Sequence, residues 1–329
     1  MDNKSSRNVG EPAKYDLHRH LGGSILPETV WQIMQGQSGI VNLVSSVEDL
    51  TDIMTFKNDK KYGFHRFLQK FSILNNIKWT EKDIDLVIKQ VIGDIAREGI
   101  DYCELRFSVD KYLNYMSWDE QEVCLFILNC IESWANIYNV EIGPVLSIKY
   151  ESPKIGIKRI SKLINHWRLA EKIVAIDIVG NELFFDPEYL RGIFRYWRSC
   201  GKGLLIHAGE TQSENNVKIA IEEFGVDRVG HGIQIVNSPD ILKFAVDEGA
   251  VFDIAISSNI MTGLVEDICE HPVKKMVEAG CNVVLSTDDP VVFDTNLDKE
   301  YEYLSEIIKS EDTVNTIRNN SILYRVKPN

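Results

Sequence analysis

Short apolar runs rich in β-branched residues recur along the chain, and each is followed by a longer segment with helical periodicity and charged residues. This alternation is typical of parallel βα units. Eight βα units close a (β/α)8 TIM barrel, which is the α/β fold that we predict. Eight runs are predicted to be strands: Lys14 to His20, Asp101 to Ser108, Glu141 to Ile148, Ile173 to Val179, Gly203 to Ala208, Arg228 to His231, Ala250 to Ser257 and Asn282 to Thr287.

The alternative is an open doubly wound sheet, whose first strand is normally followed by a glycine-rich phosphate loop. The first run continues as Tyr15-Asp-Leu-His-Arg-His-Leu-Gly-Gly, which does not have the form G-x-G-x-x-G. The sequence therefore favours the barrel.

Residues 26–99 form an unusually long segment between the first two runs. Its helical pattern predicts an insertion over the barrel mouth, where a lid could exclude water, although an extra packed layer of helices fits the pattern too. Two helices, Leu297 to Lys309 and Asp312 to Tyr324, are predicted to end a single domain that spans residues 1–329. The insertion carries aromatic residues at Phe56, Tyr62, Phe64, Phe67 and Phe71.

The composition is that of a globular protein, with 329 residues, 44% of them hydrophobic and 26% charged. The net charge of −13 disfavours nucleic acid and anionic membranes as partners. No apolar run approaches the roughly 18 residues that span a bilayer. The six cysteines include no C-x-x-C pair, and Met1 to Lys14 lacks the apolar core of a signal peptide, so we expect a reduced, cytoplasmic protein.

Four of the seven histidines lie at the ends of predicted strands. His18 and His20 are two residues apart, which places both imidazoles on one face of a strand. A single inward histidine is usually a core residue, but two at this spacing favour a metal pair. His207 and His231 each end a later run, whereas we expect ordinary structural or surface roles for the rest: His65, His166 and His271.

Two adjacent carboxylates, Asp288 and Asp289, follow the eighth run. Such a pair before a proline can be a helix cap or a turn, but at the tip of a buried strand the two charges would repel unless a cation held them. In a closed barrel, three histidines and one aspartate can converge on a catalytic zinc with an open position. Glu210, three residues after His207, can face the same cavity as a proton donor or can be a helix N-terminal acid.

At these residues the sequence resembles the adenosine deaminase family of the metal-dependent amidohydrolases. Each motif alone is weak, but together they follow the family's order across positions 18–290. The matching segments are His18-Arg-His-Leu-Gly-Gly-Ser24, Phe67-Leu-Gln-Lys-Phe71, Glu104-Leu-Arg-Phe-Ser108, Gly180-Asn-Glu182, His207-Ala-Gly-Glu210, Gly230-His-Gly232, Ser257-Ser-Asn259 with Thr262-Gly263, and Ser286-Thr-Asp-Asp-Pro290.

The resemblance implies hydrolytic removal of the 6-amino group of adenosine or a related adenine compound, a small-molecule substrate, with one zinc ion per chain. It assigns the zinc ligands to His18, His20, His207 and Asp288. By the same resemblance, Glu210 protonates the ring nitrogen N1, and His231 orients the zinc-bound water and helps to remove its proton. It places Asp289 on N7, the amide of Gly180 on N3, and His20, Phe67 and Phe71 against the substrate, although the two phenylalanines also have the spacing of helical core residues.

One departure from the family concerns the substrate. Adenosine-specific members usually carry an aspartate, which contacts the ribose 5′-hydroxyl, where this chain has Gly22. A glycine leaves room and removes a negative charge, so a 5′-modified adenosine, an adenine nucleotide or free adenine is an alternative substrate. Arg19, Arg106 and Lys149 are candidate phosphate partners, although each is also expected to be exposed or paired in a salt bridge.

Other functions keep the fold. The same metal site can hydrolyse a different ring amine, because the purine contacts come from few residues. A catalytically retired purine-binding or assembly protein is the alternative outside the enzymes, but it would be expected to lack a ligand or the acid, and none is missing from this sequence. The oligomeric state is not predicted.

Overall fold

The computed structural model describes residues 12–37, 44–56, 63–113, 117–151, 162–163 and 166–326. Within them, eight parallel strands form one sheet in the order β1 to β8. The strands are β1 Tyr15–His20, β2 Tyr102–Phe107, β3 Glu141–Lys149, β4 Ala175–Val179, β5 Gly203–Ala208, β6 Arg228–His231, β7 Val251–Ile254 and β8 Asn282–Leu285.

The sheet closes where β1 meets the residues that follow β8. The His20 amide donates a hydrogen bond to the Asp288 carbonyl at 2.8 Å, and the Asp288 amide donates one to the His18 carbonyl at 2.7 Å. These bonds join the first and last strands, so the predicted (β/α)8 barrel is confirmed.

The seventh strand was predicted too long. β7 ends at Ile254, and a helix runs over Ile256–Met261 where the apolar run predicted strand as far as Ser257. The carboxylate of Glu300 accepts hydrogen bonds from the Ile256 amide at 2.7 Å and the Ser257 amide at 3.3 Å. A side chain distant in sequence therefore satisfies the first amides of this helix, which local pattern cannot reveal.

The helices surround the barrel and begin with ordinary capping signals. In α4, the Thr80 side chain accepts from the Asp83 amide while the Asp83 carboxylate accepts from the Thr80 amide, which is a capping box. The helices are α1 Pro27–Gln35, α2 Val47–Met54, α3 Phe64–Gln69, α4 Glu81–Arg97, α5 Asp110–Leu113, α6 Glu120–Tyr138, α7 Trp167–Lys172, α8 Pro187–Ser199, α9 Glu214–Ile219, α10 Pro239–Asp247, α11 Ile256–Met261, α12 Val273–Ala279, α13 Leu297–Ile308 and α14 Glu311–Leu323.

Helices α1 to α4 lie between β1 and β2, within the predicted insertion. The Phe56 amide donates to the Val292 carbonyl at 2.7 Å, and the Phe67 ring stacks on Phe293 with 5.3 Å between centroids. Since both partners follow β8, this part of the insertion lies at the carboxyl end of the barrel. Tyr62 falls outside the described residues, and the role of the insertion as a lid stays a prediction.

Helices α13 and α14 have the predicted positions to within one residue at each end. Helix α14 packs against β8 and β1. In the described part of the chain, no helix is both long enough and apolar enough to cross a membrane. All six cysteines are described, and none forms a disulfide.

The barrel interior contains a buried ionic cluster on Arg228. Its guanidinium donates to Glu104, to Asp253 Oδ1 at 2.9 Å and to the carbonyls of Leu17 and Tyr324. Every one of the three charged side chains is at most 1% exposed. Each charge is offset by several hydrogen bonds, which is the condition under which ions can be buried.

Replacing Arg228 by methionine is expected to lower the free energy of unfolding by about 3–5 kcal/mol, because Glu104 and Asp253 lose a buried partner. Urea denaturation measures the change. The matched control is Arg191→Met, which removes a partly exposed arginine that pairs with Glu223 and should cost less than about 1 kcal/mol. Equal losses in the two variants would contradict the structural role of the Arg228 cluster.

Candidate active site

Four potential metal ligands converge at the carboxyl end of the barrel. His18 and His20 come from β1, His207 comes from β5, and Asp288 follows β8. One nitrogen or oxygen of each side chain lies within 4.8 Å of the others, and only His20 is not fully buried. The structure thus brings together all four residues that the resemblance names as ligands.

The donor atoms suit a cation. His18 Nε2 and His20 Nε2 are 3.1 Å apart, and they lie 3.5 Å and 3.3 Å from Asp288 Oδ1. Burial lowers the pKa of both rings well below the ordinary histidine value, so both are neutral and can offer a lone pair. Imidazole nitrogens and one carboxylate oxygen around a common point are a donor set that zinc accepts.

A second carboxylate orients His207. Its Nδ1 lies 3.1 Å from Asp177 Oδ1 on β4, so a proton on Nδ1 leaves the Nε2 lone pair for a metal. Burial raises the pKa of Asp177, but His207 and Arg106 outweigh burial and hold it below its usual range. The Tyr150 hydroxyl also donates to the His207 carbonyl at 2.5 Å.

Two candidate phosphate partners are occupied elsewhere. Arg106 Nε donates to Asp177 Oδ2 at 2.5 Å, and the Arg106 side chain is buried. The Arg19 guanidinium donates to both carboxylate oxygens of Glu98, at 3.1 Å and 2.7 Å. Both arginines therefore have the salt-bridged role, although Arg106 still lines the cavity. Lys149 is exposed and lines the cavity as well.

Glu210 lies just beyond β5, in a loop whose backbone amides are hydrogen-bonded to the carboxylate of Glu182. Glu182 accepts hydrogen bonds from four successive amides, those of Gly209 at 2.6 Å, Glu210 at 3.2 Å, and Thr211 and Gln212 at 3.1 Å each. Burial raises the pKa of Glu210 to about 8, although His207 opposes the shift. Glu210 is thus held at the cavity with its proton on at neutral pH.

A chain of hydrogen bonds fixes the ring proton of His231. The Val273 amide can only donate a hydrogen bond, so His271 Nδ1, which lies 3.1 Å from it, is the acceptor. Burial lowers the pKa of His271 to about 3, and the neutral ring then carries its proton on Nε2 and donates to Asn259 Oδ1 at 3.2 Å. The Asn259 amide group in turn donates to His231 Nδ1 at 3.1 Å.

The neutral His231 ring therefore carries its proton on Nε2. That nitrogen lies 3.7 Å from Glu210 Oε1 and 3.8 Å from Asp288 Oδ2. A donor at this position suits the orientation of a water molecule, and it leaves no lone pair there to remove a proton from that water.

Asp289 is positioned by an adjacent glycine. A Cβ atom at Gly23 would lie only 1.7 Å from Asp289 Oδ1, so no other residue fits at position 23. The same oxygen is buried and has no hydrogen-bond partner within the described residues. Burial and the neighbouring Asp288 raise the pKa of Asp289, against the effect of Lys111.

Two site residues adopt strained backbone conformations. His231 and Asp288 both have φ of 61°, a left-handed value that is uncommon for residues other than glycine. Such strain often accompanies functional positions, because it aims a side chain that ordinary strand geometry would direct elsewhere. Gly180, with φ of 99°, faces Glu151 so closely that a Cβ atom would lie 2.6 Å from Glu151 Oε2.

The ligand group opens into one cavity with about 370 Å³ of space that water can enter. This volume lies within the range of roughly 300–1,000 Å³ that is usual for small-molecule sites. Phe67 and Phe71 line the cavity and meet edge to face at 5.4 Å, and Phe67 also packs on Phe293. Their contact with a substrate stays a prediction. Apart from the fully buried His18, the remaining predicted site residues line the cavity as well: His20, Gly180, His207, Glu210, His231, Asp288 and Asp289.

Sequence reasoning missed several residues that shape this site. Three of them, Asp177, Glu182 and Asn259, hold other parts of the site in place through hydrogen bonds. Glu182 and Asn259 lay within the motifs quoted above, whereas Asp177 did not. Lys111 also lines the cavity, and no motif marked it.

Comparisons with known proteins agree with this geometry. The family model described as adenosine deaminase matches residues 13–324. An adenosine deaminase from Shewanella denitrificans is 27% identical over 298 residues, which is 90% of this chain and 87% of that protein.

Two solved structures share the fold. An amidohydrolase from Burkhoderia ambifaria with bound zinc has a TM-score of 0.84 at 18% identity, with 98% of this chain and 90% of that chain covered. Arabidopsis ADAL in complex with IMP has a TM-score of 0.78 at 19% identity, with coverage of 96% and 92%.

Replacing Glu182 by glutamine is expected to lower the melting temperature while the metal content of the zinc-loaded protein stays unchanged. The amide nitrogen of glutamine cannot accept from the loop amides, and hydrogen bonds to a charged group contribute about 1.5–3 kcal/mol. Calorimetry and elemental analysis measure the two quantities. The control is Glu188→Gln, an exposed position on α8. Loss of metal together with stability would show that Glu182 supports the ligands rather than the Glu210 loop.

Proposed function

The chain belongs to the adenosine deaminase family, and on that premise we propose that it hydrolyses the 6-amino group of adenosine or a closely related adenine derivative. The products are ammonia and the 6-oxo purine. The carrying observation is the position of a buried, proton-bearing Glu210 in the same cavity as the four-ligand group. An exocyclic amine leaves poorly, so this reaction needs an acid and an activated water together.

We propose one zinc ion per chain, held by His18, His20, His207 and Asp288. The donor set supports this, because three imidazoles and one carboxylate converge within 4.8 Å. When bound, zinc would make a water molecule acidic enough to lose a proton and act as the nucleophile at neutral pH.

The acid of the proposed reaction is Glu210. Its raised pKa keeps a proton available for the purine nitrogen N1, and protonation there makes carbon 6 more electrophilic. Its proximity to His231, at 3.7 Å, places the acid beside the side chain that orients the water. Because His231 Nε2 is a donor, its proposed role is orientation and stabilisation of negative charge.

The remaining residues hold the purine ring. N7 of a purine is an acceptor. Asp289 can donate to it when protonated, since burial and Asp288 raise its pKa and its Oδ1 has no hydrogen-bond partner within the described residues. The Gly180 amide is proposed to donate to N3, and Phe67 and Phe71 to cover the ring, with His20 beside it. The IMP bound by Arabidopsis ADAL has the same 6-oxo ring as the proposed product.

The other candidate functions share this cavity. A 5′-modified adenosine, an adenine nucleotide or free adenine stays possible at Gly22, where no carboxylate is available for the ribose 5′-hydroxyl. A retired purine-binding or assembly protein has less support, since the ligands and the acid lie together. The proposed partner is thus a small purine, in a protein that we expect to be cytoplasmic.

Two variants separate the metal from the acid. Asp288→Ala is expected to remove zinc and activity together, whereas Glu210→Gln should keep the zinc and lose most turnover, by about 100-fold or more, as for the loss of a general acid. Ammonia release and elemental analysis of the same samples give both quantities. A Glu210→Gln protein with nearly the wild-type rate would show that another group is the acid.

The rate should fall as pH rises through about 8, because Glu210 is active in its protonated form and its raised pKa marks where the proton is lost. The logarithm of kcat/KM is expected to decline with a slope of −1 above that pH. The residual activity of Glu210→Gln should lack this decline, since glutamine does not titrate. A decline that persists unchanged in the variant would assign it to another group.

A further inference from the structure

The cavity contains a positively charged region beside Gly22. A Cβ atom at Gly22 would lie 3.2 Å from Lys111 Nζ and 3.9 Å from the Phe71 ring. The resemblance implies a carboxylate at this position in adenosine-specific members, whereas this chain places an ammonium group beside the glycine. The local charge is therefore opposite to the one that accepts a hydrogen bond from a ribose hydroxyl.

A second ammonium group faces the same cavity. Lys149 ends β3, and both Lys111 and Lys149 line the cavity together with three proposed metal ligands, His20, His207 and Asp288. Burial and, after it, the charge of Lys149 lower the pKa of Lys111 to about 8. The two cations are thus close enough to repel each other, and an anion between them would relieve that repulsion.

Neither lysine is held in a salt bridge by a carboxylate of the described residues, although the charge of Asp289 acts on Lys111 and raises its pKa against the effect of burial. Besides Glu210, Asp288 and Asp289, two further acids line the same cavity: Glu151, which accepts a hydrogen bond from the Asn181 amide at 3.0 Å, and Asp110, which begins α5. This lack of pairing contrasts with Arg19 and Arg106, whose guanidinium groups are held by internal carboxylates.

The surrounding protein makes this pair of cations unusual. The chain carries a net charge of −13, so two lysines in one cavity are not part of a generally basic surface. Ammonium groups outside salt bridges are suited to a phosphate, which accepts several charge-assisted hydrogen bonds.

We propose that Lys111 and Lys149 form a subsite for the 5′-phosphate of the substrate, so that the preferred substrate is an adenine nucleoside 5′-monophosphate and not adenosine. This inference rests on the deaminase function proposed above. Gly22 leaves the space that the phosphate enters, and the metal end of the same cavity holds the purine.

The first experiment compares AMP with adenosine as substrates of the zinc-loaded full chain. The kcat/KM for AMP is expected to exceed that for adenosine by about 100-fold, which is about 2.7 kcal/mol. Lys111→Met should lower the value for AMP by about tenfold or more and leave the value for adenosine nearly unchanged, because it removes one charged hydrogen bond. Lys149→Met should act in the same direction.

The matched control is Lys275→Met, which removes one positive charge from an exposed position on α12. It should leave kcat/KM for both AMP and adenosine unchanged. The melting temperature of every variant checks that it is folded. Equal use of AMP and adenosine by the wild type, or an equal loss for both substrates in Lys111→Met, would overturn the phosphate subsite and leave the deaminase function in place.

Binding without turnover provides a second, independent readout. Calorimetry on Glu210→Gln should show tighter binding of AMP than of adenosine, a difference that shrinks with added salt and in the double variant with Lys111→Met. If no adenine compound is deaminated but this lysine-dependent difference is found, the phosphate subsite stands and the deaminase function fails. Equal affinities for AMP and adenosine would refute the subsite.

The converse substitution is Gly22→Asp. It supplies a carboxylate beside Lys111 that can pair with the ammonium group and accept from a ribose hydroxyl. The ratio of kcat/KM for AMP to that for adenosine is expected to fall by about 100-fold, as both the lost phosphate site and the restored acceptor act in one direction. An unchanged ratio in a folded, zinc-loaded variant would contradict the proposal.

Discussion

The backbone pairing between β1 and Asp288 is the constraint on which the site depends. Two hydrogen bonds, between the amide of one strand and the carbonyl of the other, join the first strand of the barrel to the segment after the last. They bring Asp288 to His18 and His20 although about 270 residues separate them in sequence. Barrel closure and assembly of the ligand group are therefore one event, and any change that opens this seam affects both.

A network of buried charged side chains holds the candidate metal ligands in place. Asp177 orients His207 and is itself held by Arg106, while Asp253 receives hydrogen bonds from both Arg106 and Arg228. Such a network costs desolvation energy, and it is favourable only when each charge has several partners. Its benefit here is geometric, because each carboxylate fixes the orientation of the side chains to which it is hydrogen-bonded. The Val273 to His231 chain works similarly and begins from a backbone amide that cannot change its role.

The parts of the site that could be predicted from the sequence are those with a positional signal. Histidines at strand ends, two of them at a spacing of two residues, indicate a shared face and a common edge in any parallel barrel. Glu182, Asn259 and Glu300 lack such a signal, since each acts through amides or rings that only the folded chain brings near. The over-long seventh strand has the same origin: its apolar run continues into a helix that Glu300 stabilises from 44 residues away. Lys111 was missed because a single lysine in a helix gives no indication of an inward direction.

The adjacent glycines at positions 22 and 23 have opposite tolerance to change. Position 23 is closed by the side chain of Asp289, whereas position 22 opens towards the cavity and the end of a flexible lysine. A side chain at position 23 would displace Asp289, whereas one at position 22 would meet only the ends of Lys111 and Phe71. A lineage built on this barrel can therefore acquire new substrates through single codon changes while its chemistry remains under unbroken selection.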